Sequence, residues 1–313
     1  MNFNTYRITT PYWLVIIVII ISGVSCHRAG THTEPKSVGL SFKPVANIPF
    51  IEVHRYLRNG LSFDNNGFQT EPGYKITFLT NDSASVYSPD KKAFINFYVF
   101  MEGDSIFNVA RSYFKVKHMN KDSLVLQVLQ VEGDTLHTLN SLVYMTFYSK
   151  DYLKEHKLDP TVLGKATRAD TLFIQKKSAV ANKIPDSAFS ARQPVQLESR
   201  SPLLRVVRND VQPDVLNNFD ASDEYMNPEF NISIGKAYED FSYSFAVFVD
   251  DKGKMHFDRS MDYIMPEYRE STTRILKGII NGYLTAYLKV TPGSTLGIKH
   301  TSYIIVNVVG KKG

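Results

Sequence analysis

At 313 residues the chain is long enough for roughly two domains of about 150 residues each. Its 43% apolar and 21% charged residues are the mixture of a globular protein, which excludes wholesale disorder and collagen-like repeats. Thirty-six basic against 31 acidic residues leave +5 spread without a basic cluster, so a surface that tracks nucleic-acid phosphates is not expected.

The first element is a leader. Residues 1–7 carry Arg7, residues 12–21 (YWLVIIVIII) are apolar throughout, and the small residues Ser22, Gly23, Val24 and Ser25 precede Cys26. A charged start, a short apolar run and a small-residue stop are the layout of a secretory signal, and the run falls short of the about 20 residues that span a bilayer. Residues 1–25 are therefore expected to be removed. Cys26, the only cysteine of the chain, stands where small residues end and resembles the lipobox cysteine of bacterial lipoproteins, although Gly23 occupies a place where Leu is usual. That resemblance implies lipidation of Cys26 and a membrane anchor. His27 rather than Asp follows it, and no acidic run comes next, which together imply the outer membrane with the protein facing the periplasm. A single cysteine also excludes an intrachain disulfide.

Residues 26–47 mix Gly, Pro, Thr, Ser and Lys without period and read as a flexible tether. From 48 to 175 the pattern is an antiparallel β domain, a barrel or a sandwich. Residues 74–78 (YKITF), 94–100 (FINFYVF), 113–117 (YFKVK), 124–131 (LVLQVLQV) and 142–147 (LVYMTF) are rich in aromatic and β-branched residues. Gly60, Gly67, Gly103 and Gly133 stand between such runs, where hairpins need positive φ. Residues 102–131 resemble the second half of small lipocalin-like barrels, and that resemblance implies a carrier of a small apolar ligand. The alternation of Phe94, Tyr98, Phe100, Phe107 and Tyr113 suits a ligand cavity and a filled core equally. Residues 151–158 read as a short helix and 171–175 (TLFIQ) as a strand, and 176–200, with Pro185 and Pro194, as a linker.

The C-terminal unit, 201–313, has the clearest pattern. Phe241, Tyr243, Phe245, Val247 and Val249 alternate with Ser242, Ser244 and Ala246, so one face of that strand is covered. A turn at 250–254 leads to a partner strand at 255–259. After Pro266, the residues Tyr268, Ile275, Leu276, Ile279, Tyr283 and Tyr287 form a helical stripe, and 303–309 (YIIVNVV) makes a last strand. This β-β-α-β order, with Pro228 before it and Pro292 after the helix, resembles the TonB C-terminal domain, although Val290 stands where that family commonly has Trp. The resemblance implies an α+β domain that recognises a protein or peptide by strand addition. Tyr303, Ile305 and Asn307, on one face of the last strand, are then the expected partner-binding edge. Coverage by residues 203–207, or pairing in a homodimer, would occupy the same edge.

No motif of metal-dependent, nucleotide-dependent or serine-nucleophile chemistry is present, so neither an enzyme, a cofactor nor a metal site is expected. Ser88 and Lys91 have an S-x-x-K spacing, but Pro89 breaks the helix that spacing requires. The Asp64-Asn65-Asn66-Gly67 stretch reads as a turn, Asp220, Asp223 and Glu224 as an acidic loop, and His256 with Asp258 as an exposed strand face. His27 and His32 lie in the tether and lack further donors for a metal shell. The expected protein is a mainly β, lipid-anchored envelope protein that binds a partner rather than breaking bonds.

Overall fold

Glycine turns and alternating apolar residues generate a meander in the first half of the computed structural model. The structure describes residues 39–89, 91–133, 135–137, 143–209 and 222–313, without the side chains of 135–137 and 223, and residues 39–313 cluster as one compact unit. Cys26 and Asp220 lie outside the described residues.

Ten strands come first: β1 (Pro49–Leu57), β2 (Lys75–Phe78), β3 (Ser83–Ser88), β4 (Ala93–Tyr98), β5 (Phe100–Glu102), β6 (Ile106–Val109), β7 (Ser112–Met119), β8 (Ser123–Glu132), β9 (Thr135–His137) and β10 (Val143–Ser149). Nine of them follow the antiparallel order β4-β3-β2-β1-β10-β8-β7-β6-β5, with β9 paired to β8, and the sheet curls into a nearly closed barrel. Its two ends are β4 and β5, consecutive strands separated by the buried Val99. The predicted run 94–100 is thus two strands with a corner at Val99. Gly60, Gly67, Gly103 and Gly133 all have positive φ, as hairpin turns require.

Side chains occupy the barrel interior. Phe50, Ile76, Phe78, Phe107, Leu124 and Phe147 are buried there, and the 3-10 turn Lys43–Val45 brings Phe42 and Val45 in as a plug. The Phe42 ring stacks on Phe78 at 3.8 Å and meets Phe107 edge-on at 5.0 Å. Burying a phenylalanine contributes about 1.5–3 kcal/mol, so this aromatic cluster is a principal source of barrel stability. The aromatics that could have lined a cavity divide differently: Phe107 is core and Tyr113 half-buried, while Phe94, Tyr98 and Phe100 point outward.

Helices α1 (Lys150–Glu155), α2 (Pro160–Leu163) and α3 (Arg168–Ala181) follow. Residues 171–175, expected as a strand, lie inside α3. Their β-branched and aromatic run is overridden by a capping box in which Thr167 and Asp170 satisfy each other's backbone donors. Asp170 is wholly buried; its Oδ1 accepts the Ser62 N–H at 2.6 Å, which ties the loop after β1 to the helix.

The stretch 176–200, expected as a linker, is built into the structure. It contains the end of α3, the buried Phe189, Ala191 and Val195, and strand β11 (Gln196–Ser199). Phe63, Ile174, Ala181 and Phe189 form a small core of their own, with Leu296 and Ile298 against it. A side chain at Gly67 would meet the Ser190 carbonyl at 2.2 Å, and only glycine permits this approach at φ +91°.

The second half holds β12 (Leu204–Arg208), α4 (Asp223–Met226), β13 (Glu229–Ala237), β14 (Phe241–Val249), β15 (Met255–Ser260), α5 (Arg269–Ile279), a π turn (Ile280–Leu284), α6 (Thr285–Tyr287), β16 (Leu288–Thr291), β17 (Ser294–Thr295), β18 (Ile298–Lys299) and β19 (Ser302–Lys312). Strand β11 pairs with β16 and β17 with β18, while the main sheet runs β12-β13-β19-β14-β15. The strand, strand, helix, strand order expected from 241 to 309 is present. One face of the sheet, with Phe245, Val247, Ile304 and Val306, packs on Leu276, Ile279, Ile280 and Leu284 of the helical segment. Ile280 and Leu284 join the expected stripe because the π turn rotates the apolar face, whereas Tyr268, in the 3-10 turn before α5, is exposed. No described helix is long and apolar enough to cross a membrane.

Candidate functional site

The strand expected to be the open edge is the centre of its sheet. β19 pairs in parallel with β13 on one side, Ile305 opposite Glu229 and Asn307 opposite Asn231, and antiparallel with β14 on the other. Tyr303, Ile305 and Asn307 do share one half-buried face, but their backbone groups face neighbouring strands on both sides, so the strand has no free edge for a partner. The reading failed because β13 was not recognised. Its alternation of buried Phe230, Ile232 and Ile234 with exposed Asn231 and Ser233 is the signal that marks it. Residues 203–207 do cover an edge, through β12, but it belongs to β13.

The sheet ends instead at β12 and β15. In the hairpin of β14 and β15, Asp250 N–H donates to the Lys254 carbonyl at 3.0 Å, and Phe248 pairs with His256. Antiparallel pairs alternate between bonded and non-bonded, so the backbone N–H and C=O of Met255 and Phe257 face away from β14. A register shift between Phe257 and Arg259 adds a bulge, which bends the edge and increases its twist. Phe257 packs on the core side near Phe245, while Asp258 and Arg259 form an ion pair.

An apolar shelf adjoins this edge. Met261, Tyr263, Met265 and Tyr268, between β15 and α5, are all exposed, Tyr263 at 88%. The shelf is anchored at its root: Met261 N–H donates to the Ser244 carbonyl at 2.9 Å, and Asp262 accepts the Ser244 N–H at 2.8 Å. Between shelf, strand and helix lies an open recess of about 440 Å³, lined by Phe257, Arg259, Tyr263, Ile264, Arg269 and Thr273 among others. An edge strand whose Phe257 backbone groups face away from β14, a row of exposed methionine and tyrosine side chains and a neighbouring recess can together hold an extended peptide.

A larger groove, about 740 Å³, runs beside the barrel past Glu52, Glu71, Tyr74, Lys165 and Arg192. Glu52, Glu71 and Arg192 of its walls are committed to holding the fold. Glu52 Oε2 accepts the N–H groups of Gly73 and Tyr74 at 2.8 Å, and the same carboxylate takes both the Nε and NH2 hydrogens of Arg55 at 2.7 Å. Arg192 pairs with Glu71 at 2.9 Å and lies over the Tyr225 ring. Burial pushes the Tyr74 phenol up to about 12, and its hydroxyl has no partner among the described residues.

The remaining candidates have local roles. Asp64 Oδ1 accepts the N–H groups of Asn66 and Phe68 at 2.7 and 2.8 Å and closes a turn. His256 faces Asp250 at 3.3 Å rather than Asp258, because the bulge turns Asp258 toward Arg259. Burial opposes the charge on Asp250, but donors from Lys254, Lys252 and His256 hold it below the ordinary carboxylate value. His300, which sequence reasoning did not single out, is fully buried and stacks on Phe189 at 3.7 Å. Its Nδ1 donates to the Thr301 carbonyl at 3.1 Å, which leaves Nε2 to accept from Thr295 at 3.0 Å. Burial lowers it to about 4, so it is neutral and structural. No group of three or more metal-ligating side chains is present among the described residues. No protein-family model matches the chain, and no curated protein matches it.

Proposed function

We propose that this chain is a non-catalytic envelope protein, lipid-anchored through Cys26 at the outer membrane and facing the periplasm, whose TonB-like C-terminal unit binds an extended segment of a protein partner. The observation that carries this reading is the open edge of β15 beside the apolar shelf of Met261, Tyr263, Met265 and Tyr268. Backbone groups of Phe257 supply hydrogen bonds, and the shelf with its recess supplies selectivity for the partner's alternate side chains. This relocates the binding edge from β19 to β15 and keeps the same mode of recognition. The carrier alternative has less support, since it needs a barrel interior that here is given to Phe42, Phe78 and Phe107.

A photoreactive residue in place of Arg259 tests it. In native envelopes the lipidated protein should form an adduct with a partner from that position, and not from Tyr303. The double substitution Tyr263→Ser, Met265→Ser should weaken binding of that partner at least about tenfold, the effect of removing one or two contact residues worth about 1–2 kcal/mol. Equal adducts from Tyr303, or full affinity in the double variant, would refute recognition at β15.

A further inference from the structure

A second exposed apolar feature lies on the outside of the barrel. Along β4 and the corner into β5, Phe94, Tyr98 and Phe100 are 56%, 76% and 61% exposed, on the face opposite the core-packed Phe97 and Met101. Tyr98 and Phe100 have ring centroids 6.3 Å apart, and Phe94 meets Tyr87 of β3 at 5.3 Å. The stripe therefore runs along the seam where the two ends of the sheet come together.

The chain enters the barrel at the same end. Phe42 N–H donates to Asn81 Oδ1 at 2.9 Å, and Ser41 bonds the same oxygen at 3.2 Å. The turn that carries Asn81 also holds the corner: Val99 N–H donates to the Asp82 carbonyl at 2.8 Å, and Ser83 pairs with Tyr98. Only 12 residues separate Cys26 from Gly39. At about 3.3–3.6 Å per residue, that length keeps Gly39 within roughly 45 Å of Cys26.

We infer that this aromatic corner is a membrane-contacting face, laid against the bilayer to which Cys26 is anchored. The inference rests on the lipid-anchor reading above. Aromatic rings on a rigid sheet suit the boundary between headgroups and acyl chains, where the Phe94 and Phe100 rings meet hydrocarbon and the Tyr98 hydroxyl stays among polar groups. The charges nearby select the type of surface. Exposed charges of both signs flank the stripe, Asp82, Glu102 and Asp104 at the corner and Lys91 and Lys92 before Phe94, so no single-sign field draws it to anionic lipid and the contact is with uncharged or zwitterionic headgroups.

The only tryptophan of the chain is Trp13, in the leader, so the mature protein offers a silent background for a reporter. Full-length lipidated protein carrying Tyr98→Trp is placed in phosphatidylcholine vesicles with brominated acyl chains. The expected result is a blue-shifted emission quenched by the bromine, unchanged at high salt, and lost when Phe94→Ser and Phe100→Ser are added. The same protein carrying Tyr263→Trp should remain unquenched. Mass measurement of the N-terminal peptide reports the acyl group on Cys26 independently. An acylated protein whose Tyr98→Trp reporter is no more quenched than the Tyr263→Trp reporter overturns the membrane face and leaves the anchor standing. An unmodified Cys26 defeats both. A blue shift without bromine quenching, growing with protein density, overturns the inference in favour of contact with a second copy.

Discussion

The two sheets of this molecule solve the same problem in opposite ways. The first curls until its terminal strands β4 and β5 are covalent neighbours, which brings its edges together at one seam. The second stays open and stacks one face on a helix, leaving β15 bounded on one side only. A row of unpaired backbone groups is a liability unless it is used or guarded. Near closure turns the unpaired edges of β4 and β5 toward one seam, whereas the open sheet leaves β15 beside an exposed apolar shelf and recess. A bulge and an adjacent ion pair at β15 are moderate guards, consistent with an edge kept accessible but selective.

The contrast can be tested through what holds each part. The largest effect is expected at the plug. Phe42→Ala removes a fully buried ring from between Phe78 and Phe107 and should destabilise the protein by about 4 kcal/mol, read from the urea midpoint. A loss under about 1 kcal/mol would mean that the closed sheet stands without its plug.

The next test addresses the small core between the sheets. His300 titrates at about 4 when folded against an ordinary value of 6.5. Below 6.5 the unfolded chain takes up a proton that the folded chain refuses, so stability is full above that pH and falls as pH drops towards 4. The whole window is worth about 3.5 kcal/mol at most, from about 1.4 kcal/mol per pH unit. His300→Gln should flatten the dependence of the urea midpoint between pH 6.5 and 4; an unchanged slope would assign the acid sensitivity elsewhere.

A smaller loss, about 2 kcal/mol, is expected for Asp170→Asn. The amide keeps the size of the side chain but replaces one acceptor oxygen that now serves Ser62 or Thr167. Hydrogen exchange should rise in α3 and in the loop near Ser62, while β14 and β19 stay protected. Uniform loosening of both sheets would show that they unfold together.

Much of the fold was legible because short-range alternation reports burial directly. Residues 241–249 alternate and form a strand, and residues 124–131, rich in branched apolar residues, form one as well. What failed was non-local. Nothing within 303–309 announces that residues 229–237, more than 60 positions earlier, pair in parallel with it, so an interior strand reads as an edge. Residues 171–175 read as a strand for the converse reason: three apolar residues between Thr171 and Gln175 carry too little period to distinguish strand from helix, while the decisive Thr167–Asp170 capping box sits outside the run. The shelf at Met261, Tyr263 and Met265 escaped notice because exposure of an apolar side chain is decided by tertiary packing, and the same letters could have been core.

The central place of β19 also constrains how the chain is made. β13 and β14 are complete by residue 249, yet neither acquires its shared neighbour until residues 302–312 arrive. As the chain emerges during synthesis, both strands therefore wait, half-satisfied, for residues 302–312. Loss of residues 302–312 would split the second sheet into the separate pairs β12–β13 and β14–β15 rather than trim its border.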